Sequence, residues 1–404
     1  MLVTIVAWAL AAVSLASLFA WLWLAFLRGM FWLTDVRLPA PGEAPDVEWP
    51  WPPVAVLVPA RNEAATIPDT LPTLLSQDYP GPFAVYLVDD GSDDGTGDVA
   101  RALGASATDG DRLAVVAGRP LPDGWMGKVW ALQTGVEAAA VSGPPDFYLL
   151  SDADISHPPD SVTRVVTQAL ATSADLVSLM ARLRVESLSD RLLLPAFVYF
   201  FAKLYPFKWS NDPDSRVAAA AGGCVLLRRE ALERAGSFTA ISGAVIDDCA
   251  LAAIVKRSGG KTWLGLTREV RSVRRYGTIA PVWDMVARTA YTQLRHSPVA
   301  LAGTVAGLAL LYMAPPMSLG GAVTLAAVGG TPETAIALVI SGGAAWGLMA
   351  ATFVPMLRFY GTTTLLAPAL PVAGALYTLF TVASVLRHVR GRTGLWRGRP
   401  LPLA

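Results

Sequence analysis

Charge and sulfur are both scarce in this chain. Only 16% of the 404 residues are charged, and 32 Lys and Arg offset 32 Asp and Glu to a net charge of zero. With no basic stripe interleaved with aromatics, that balance argues against a nucleic-acid partner. Cys224 and Cys249 have no CxxC spacing and no histidine at metal-ligand spacing. They read as reduced core residues and offer no disulfide framework. A GxGxxG fingerprint for dinucleotides is also missing. What the chain does have is apolar length, 53% hydrophobic residues, and three tight acidic clusters: Asp89-Asp90, Asp152-Ala153-Asp154 and Asp247-Asp248. Adjacent carboxylates repel and resist desolvation unless water, a proton or a cation relieves them.

The apolar residues concentrate at the two ends. Leu2 to Leu27 carries no charge and is long enough to cross an apolar layer about 30 Å thick. Without a basic start or a short apolar region it reads as a retained anchor (1–28), not a cleaved signal peptide. A Pro-rich, acidic connector follows (29–53), with Pro39, Pro41, Pro45, Pro50, Pro52 and Pro53 stiffening it. Beyond Pro298, three further apolar blocks (Val299 to Val328, Ala335 to Leu357, Leu365 to Leu386) are each long enough to span, and Pro315-Pro316 should kink or break the first. A basic tail (387–404) carries Arg387, Arg390, Arg392, Arg397 and Arg399. Arg28 and Arg37 after the anchor assign the central region (54–298) to the cytoplasm and the protein to the cell (inner) membrane as a multi-pass chain. The tail's basic residues favour the same side, yet three crossings after the domain would put it on the other; one block would then be re-entrant or split.

Between the ends the pattern is α/β. Val54 to Val58, Ala84 to Val88, Leu113 to Ala117, Phe147 to Leu150 and Leu176 to Met180 are strand-like apolar runs. Helical stretches at 64–77, 129–140 and 161–171 alternate with them, the rhythm of a largely parallel sheet. Arg191 to Trp209 is crowded with aromatics between basic flanks. It reads as a core helix or as an interfacial helix on the bilayer, and its aromatic density favours the second.

Two acidic clusters follow strands, where open α/β sheets place ligands. Asp89 and Asp90 end the second strand and can accept hydrogen bonds from a base or sugar; Asp93, Asp94 and Thr96 are explained by turn and cap bonding alone. Asp152 and Asp154 follow the run 147–150, and alternation along an extended segment would put both on one side. Such carboxylates suit Mg²⁺ or Mn²⁺ completed by phosphate oxygens, or simply a capped loop. Lys128, at the start of a helix, is either a phosphate partner or a solvated surface charge. Asp247-Asp248 opens another helix, as a cap or as a general base with raised proton affinity. His157, just downstream of Asp154, is either a contact to the metal or pyrophosphate or a satisfied structural histidine, and the second reading is favoured.

The ordered set Pro59-Ala60-Arg61-Asn62-Glu63, Asp89 to Thr96, Asp152-Ala153-Asp154 and Asp247-Asp248 resembles glycosyltransferase family 2. More narrowly, Gly124-Trp125-Met126-Gly127-Lys128, the segment 192–209, Gly222-Gly223-Cys224 and Ile246 to Leu251 resemble the hopene-associated glycosyltransferases. The resemblance implies a GT-A fold flanked by transmembrane helices, and inverting transfer from a nucleotide-diphosphate sugar. It implies donor contacts at Pro59, Arg61, Glu63, Asp89, Asp90, Lys128 and Asp152. Asp154, with Asp152, would hold the metal; Asp248, beside Asp247, would be the base. The family's late Gln-x-x-Arg-Trp is matched only by Gln293-Leu294-Arg295-His296. Gln293 and Arg295 would face the donor, and the missing Trp argues against a processive polysaccharide synthase. The implied acceptor is a lipid, a hopanoid or related isoprenoid alcohol. Two other readings stand beside it: transfer to a polyprenyl phosphate, and a non-catalytic membrane scaffold that keeps a nucleotide-sugar fold.

Overall fold

The apolar runs form the strands of one sheet in the computed structural model, which describes residues 2–40, 50–390, 395–396 and 399–400. Pro41 and Pro45 of the connector, and Arg392 and Arg397 of the tail, lie outside the described residues. The strands are β1 (Val54–Ala60), β2 (Phe83–Asp89), β3 (Leu113–Ala117), β4 (Phe147–Ser151), β5 (Ile155–Ser156), β6 (Leu176–Arg182), β7 (Cys224–Arg228) and β8 (Thr262–Ser272). Their order across the sheet is β3-β2-β1-β4-β7-β6-β8-β5. β1 and β4 are buried at every position, as runs covered on both faces must be. Val54, Val56 and Val58 pack into one core and Ala55 and Leu57 into the other, the alternation of a pleated strand.

The sheet is mixed, not largely parallel. β1 pairs with β2 and β4, β2 with β3, and β6 with β8 in parallel; β7 runs antiparallel to both β4 and β6, and β5 antiparallel to β8. Register sets which strand ends meet. Ala60 lies beside Asp89, Leu57 beside Leu150, and Ser151 beside Cys224. The C-terminal ends of β1, β2 and β4 therefore meet the N-terminal end of β7.

The helices match the expected stretches with shifted ends: Ile67–Leu75, Gly127–Val141 and Ser161–Thr172. The first is shorter than 64–77 because Pro68 occupies its opening turn, where a missing N–H costs nothing. These elements belong to a sheet unit, Asp35–Arg184 with Phe207–Arg275.

Met1–Thr34, Val185–Pro206 and Tyr276–Arg392 form a separate helical unit. Four of its stretches have the length and composition to cross a membrane: Val3–Leu27, Pro298–Ala327, Pro332–Tyr360 and Thr364–Val389. The Pro315-Pro316 pair does not break the second. An α-helix, Pro298–Leu308, passes through a π turn, Ala309–Met313, into Ala314–Ala327. Pro315 has no N–H for the Leu311 carbonyl one turn back, and the Trp21 indole supplies the donor at 2.8 Å. Ser14 and Ser341 share a buried hydroxyl contact of 2.6 Å. The aromatic segment divides at Pro206: Leu188–Leu204 is a helix of this unit, opened by a Ser187–Asp190 capping box, and Phe207–Asn211 is a short helix of the sheet unit. Leu193, Leu194, Val198 and Tyr199 are buried, whereas Leu188 and Leu204 are exposed.

Leu226 of β7 is fully buried at the centre of the sheet. Leu226→Ala should lower unfolding stability by about 2–5 kcal/mol, read from denaturant unfolding of the purified chain. A loss below about 1 kcal/mol would contradict a fully packed β7.

Candidate active site

The edge where β1, β2, β4 and β7 end gathers the acidic clusters of the sheet unit. After β1 the chain turns through Asn62, whose φ of +53° lies in the left-handed region that Asn tolerates. Its amide N–H donates to Ser92 Oγ at 3.0 Å, and its Oδ1 accepts the Asp93 N–H at 3.0 Å. Arg61 reaches across to the Asp90 and Gly91 carbonyls. The buried Glu63 donates its N–H to Thr96 Oγ1 at 2.8 Å. Arg61 and Glu63 thus lie against the loop that follows Asp89-Asp90, and Asp90 itself is buried.

Asp89 Oδ1 accepts the Ser92 N–H at 3.0 Å, and a Cβ on Gly97 would fall 2.5 Å from its Oδ2. Glycine there makes room for the carboxylate. Asp94 accepts from Thr96 N–H, Thr96 Oγ1 and Ala64 N–H. Its slight burial favours the neutral acid, but those bonds outweigh it and hold the pKa below the usual value. Asp94 is accounted for as a cap.

The second gathering is electrostatic. Lys128 stands at the start of the helix Gly127–Val141, with its Nζ 2.8 Å from Asp152 Oδ1 and 3.1 Å from Asp247 Oδ2. Asp248 Oδ2 accepts the Gly222 N–H at 2.8 Å and its Oδ1 accepts the Cys249 N–H at 2.7 Å. Pro59, Lys128, Asp152, Gly222, Asp247 and Asp248 line one small cleft. Burial alone would lower the Lys128 pKa, but Asp152, Asp247 and Asp248 outweigh it and hold the ammonium well above the ordinary lysine value. Burial, then the Asp247 charge, pushes Asp248 up to about 6 against the pull of Lys128. Asp152 is also raised, by burial first. Lys128 is therefore no solvated surface charge; it is the counter-ion of three carboxylates, which still outnumber it.

Asp152 to Ile155 form a turn, closed by the Ile155 N–H on the Asp152 carbonyl at 3.1 Å, where an extended segment was expected. Ala153 is buried, Thr70 Oγ1 bonds its carbonyl at 2.7 Å, and Asp152 and Asp154 are both left part-exposed. Asp154 Oδ2 accepts from Ser272 Oγ at 2.8 Å. Among the described residues no three His, Cys, Asp or Glu side chains form a metal-holding group. The donor set is a pair of hard oxygen ligands on one turn, which suits Mg²⁺ or Mn²⁺ only with oxygens from substrate or water completing the shell.

His157 is structural. Its ring nitrogens face Ser151 Oγ at 2.9 Å and Ser161 Oγ at 3.2 Å, and burial pushes its pKa down to about 4. Cys224 is buried in β7 and Cys249 touches the Ala220 carbonyl at 3.5 Å; neither is in a disulfide. Gln293 and Arg295 belong to the helical unit. There Gln293 Nε2 donates to Tyr205 Oη at 2.5 Å, and Arg295 follows in a left-handed turn with φ +51°. Ser272 is the site residue that sequence reasoning did not single out, and Gly222 entered only within the Gly222-Gly223-Cys224 segment, with no role assigned to it. The Gly222-Gly223 pair ahead of an apolar run was a turn signal; nothing marked Ser272.

A sequence model described as glycosyltransferase-like family 2 matches residues 52–292, more than half of the chain. An N-acetylglucosaminyltransferase of Mesorhizobium japonicum is 31% identical over 197 residues, 48% of this chain and 43% of that protein. An undecaprenyl-phosphate 4-deoxy-4-formamido-L-arabinose transferase of Aeromonas hydrophila is 34% identical over 140 residues, 33% of this chain and 38% of that protein. The chain thus spans about two fifths of the length of these curated relatives. Among solved structures, a mannosyltransferase from Pyrobaculum calidifontis in complex with GDP-Man and Mn²⁺ matches 92% of this chain and 99% of its own, with a TM-score of 0.52 and 21% identity. That likeness shows the fold: a GT-A-like mixed-sheet α/β domain with apolar helices at both chain ends.

A Cβ on Gly222 would lie 3.2 Å from Lys128 Nζ and 3.4 Å from Asp248 Oδ2. Gly222→Ala should therefore displace the Lys128 ammonium by a few tenths of an ångström and cut glycosyl transfer at least about tenfold, roughly 1.4 kcal/mol of barrier, with an unchanged thermal midpoint. Wild-type turnover in that variant would show that the close approach does not matter.

Proposed function

This chain belongs to glycosyltransferase family 2, and from that premise we propose that it moves a sugar from a nucleotide-diphosphate donor to the hydroxyl of a membrane lipid, with inversion at the anomeric carbon. The observation that carries this reading is the Asp248 carboxylate. Two backbone N–H groups orient it and burial raises its proton affinity to about 6. A carboxylate with that affinity is ionised near neutral pH and still accepts a proton, as a general base must.

In this reaction Asp248 takes the proton of the acceptor hydroxyl as its oxygen attacks the anomeric carbon. The bond to the diphosphate oxygen breaks on the opposite face, and the nucleoside diphosphate leaves. Arg61, Glu63, Asp89 and Asp90 line the nucleotide end of the donor, while Pro59 and Lys128 border its diphosphate end. Asp152 and Asp154 would hold Mg²⁺ or Mn²⁺, which when bound offsets the charge of the departing diphosphate. Lys128 keeps Asp152, Asp247 and Asp248 together and opposes protonation of Asp248. Gln293 and Arg295 are proposed as further donor contacts on the strength of the family motif alone.

The four apolar helices support a multi-pass protein of the cell membrane, and Arg28 and Arg37 support a cytoplasmic catalytic domain. A membrane-tethered site favours a lipid acceptor. The hopanoid or related isoprenoid class is proposed from the segments that resemble the hopene-associated enzymes. A polyprenyl phosphate is the second reading, favoured by the name of the Aeromonas hydrophila relative. A non-catalytic scaffold has less support, since a scaffold has no use for a raised, oriented carboxylate beside a metal-type turn.

Asp248→Asn separates the readings. Transfer to an alcohol should fall by about three orders of magnitude or more, the scale of lost general-base catalysis, with nucleotide-sugar binding retained by calorimetry. A phosphate acceptor needs little base assistance, so most turnover would survive under the second reading. Removing divalent metal with EDTA should abolish transfer and Mn²⁺ or Mg²⁺ should restore it; no metal-dependent turnover with any nucleotide sugar would favour the scaffold.

Lys128→Met removes the cation that lowers the Asp248 pKa. Asp248 then stays protonated to higher pH, so the acid limb of the kcat/KM profile should move upward. An unmoved limb would detach Lys128 from the base.

A further inference from the structure

The helical unit holds a second cation that this reaction does not use. Lys203 lies in the last turn of the helix Leu188–Leu204, part-exposed. Its Nζ does not extend away from the protein. It donates to Tyr312 Oη at 2.8 Å and sits 4.7 Å from the Tyr312 ring centroid and 5.2 Å from that of Phe200. Among the described residues no carboxylate pairs with it. A neutral hydroxyl takes one of three ammonium protons, and two ring faces soften the charge. Neither supplies a counter-charge. An ionisable side chain drawn into an apolar unit without one is costly, and in membrane proteins it usually marks a function.

A second positive charge stands beside it. Arg28 Nε and Nη2 donate to the carbonyls of Lys203 and Leu204, both at 3.2 Å. Arg28 thereby caps the helix end, a favourable place for a cation, but the cap does nothing for the Lys203 ammonium and adds like charge to it. Arg28 directly follows the first apolar helix, Val3–Leu27. In a membrane that helix end lies where hydrocarbon gives way to headgroups. The anion abundant at that depth is phosphate.

We propose that Lys203, backed by Arg28, binds the phosphate of a membrane lipid at the end of the first apolar helix. The Lys203 stem and the Phe200 and Tyr312 rings form an apolar collar, and the ammonium and guanidinium supply charge-assisted donors. The ligand is a lipid with net negative phosphate: an anionic phospholipid of the bulk bilayer, or a polyprenyl phosphate. The site is independent of the glycosyl-transfer reading, because its test measures binding and no turnover.

The full chain, purified in a neutral detergent, is titrated with phosphatidylglycerol, with a polyprenyl phosphate and with zwitterionic phosphatidylcholine while its thermal midpoint is followed. At least one anionic lipid should raise the midpoint saturably at concentrations where phosphatidylcholine does not, and added salt should weaken the effect. Lys203→Met should weaken that binding at least about tenfold, roughly 1.4 kcal/mol, and Lys203→Arg should keep most of it. If Lys203→Met does not fold, Tyr312→Phe, which removes the hydroxyl but not the ammonium, should retain binding while Arg28→Gln weakens it. Preference for the polyprenyl phosphate assigns the site to a monoester lipid; equal response assigns it to bulk anionic lipid. Phosphatidylcholine acting as well as both, or Lys203 and Arg28 variants binding as tightly as wild type, overturns the proposal.

Discussion

One ammonium among three carboxylates is the constraint on which the edge of this sheet depends. Without Lys128, Asp152, Asp247 and Asp248 would crowd one small cleft with uncompensated charge, which a buried site tolerates only by neutralising it. With it, residues from three distant parts of the chain are held within bonding distance. The compensation is incomplete, since three acids outnumber one base and Asp248 is left with a proton affinity two decades above an ordinary aspartate. That deficit is what a divalent cation of the proposed reaction would offset.

The topology of the sheet brings this arrangement together. Parallel pairing of β1 with β2 and β4 aligns their C-terminal ends. Reversing β7 against β4 then returns the chain to the same edge, so that Gly222 meets Asp248 with a backbone N–H. A fully parallel sheet would have sent that end of β7 to the opposite side. The antiparallel insertion thus supplies the amide that fixes the direction of the Asp248 carboxylate.

Much of this was legible in the residues. Val54 to Val58 and Phe147 to Leu150 are continuous apolar runs with only one possible fate, and the acid pairs after them stood out against an apolar background. β7 was not singled out, although Cys224 to Leu227 is as long an apolar run as Phe147 to Leu150, and its direction is set by tertiary pairing, which no local pattern encodes. The same blindness covers Ser272, whose bond to Asp154 spans 118 positions. Lys128 was read as either phosphate partner or surface charge, since a sequence does not reveal what faces a side chain. At Pro315-Pro316, where a kink or a break was expected, the helix passes through a π turn without breaking, and the donor to the freed carbonyl, Trp21, lies 290 positions from Leu311.

The excess of negative charge also bears on which acceptor such a cleft would admit. A phosphate approaching Asp247 and Asp248 meets like charge in a poorly solvated place, where repulsion is weakly screened. A hydroxyl meets no such barrier and gains a hydrogen bond to a carboxylate already oriented by Gly222 and Cys249. Lys128 does not reverse this, because its ammonium is engaged by Asp152 and Asp247. A phosphate acceptor would need a cation from elsewhere to enter, and one bound at the Asp152–Asp154 turn would first be claimed by the donor's diphosphate. In the proposed reaction the charge balance of the cleft thus selects for a neutral alcohol, and this selection comes from the same imbalance that raises the proton affinity of Asp248.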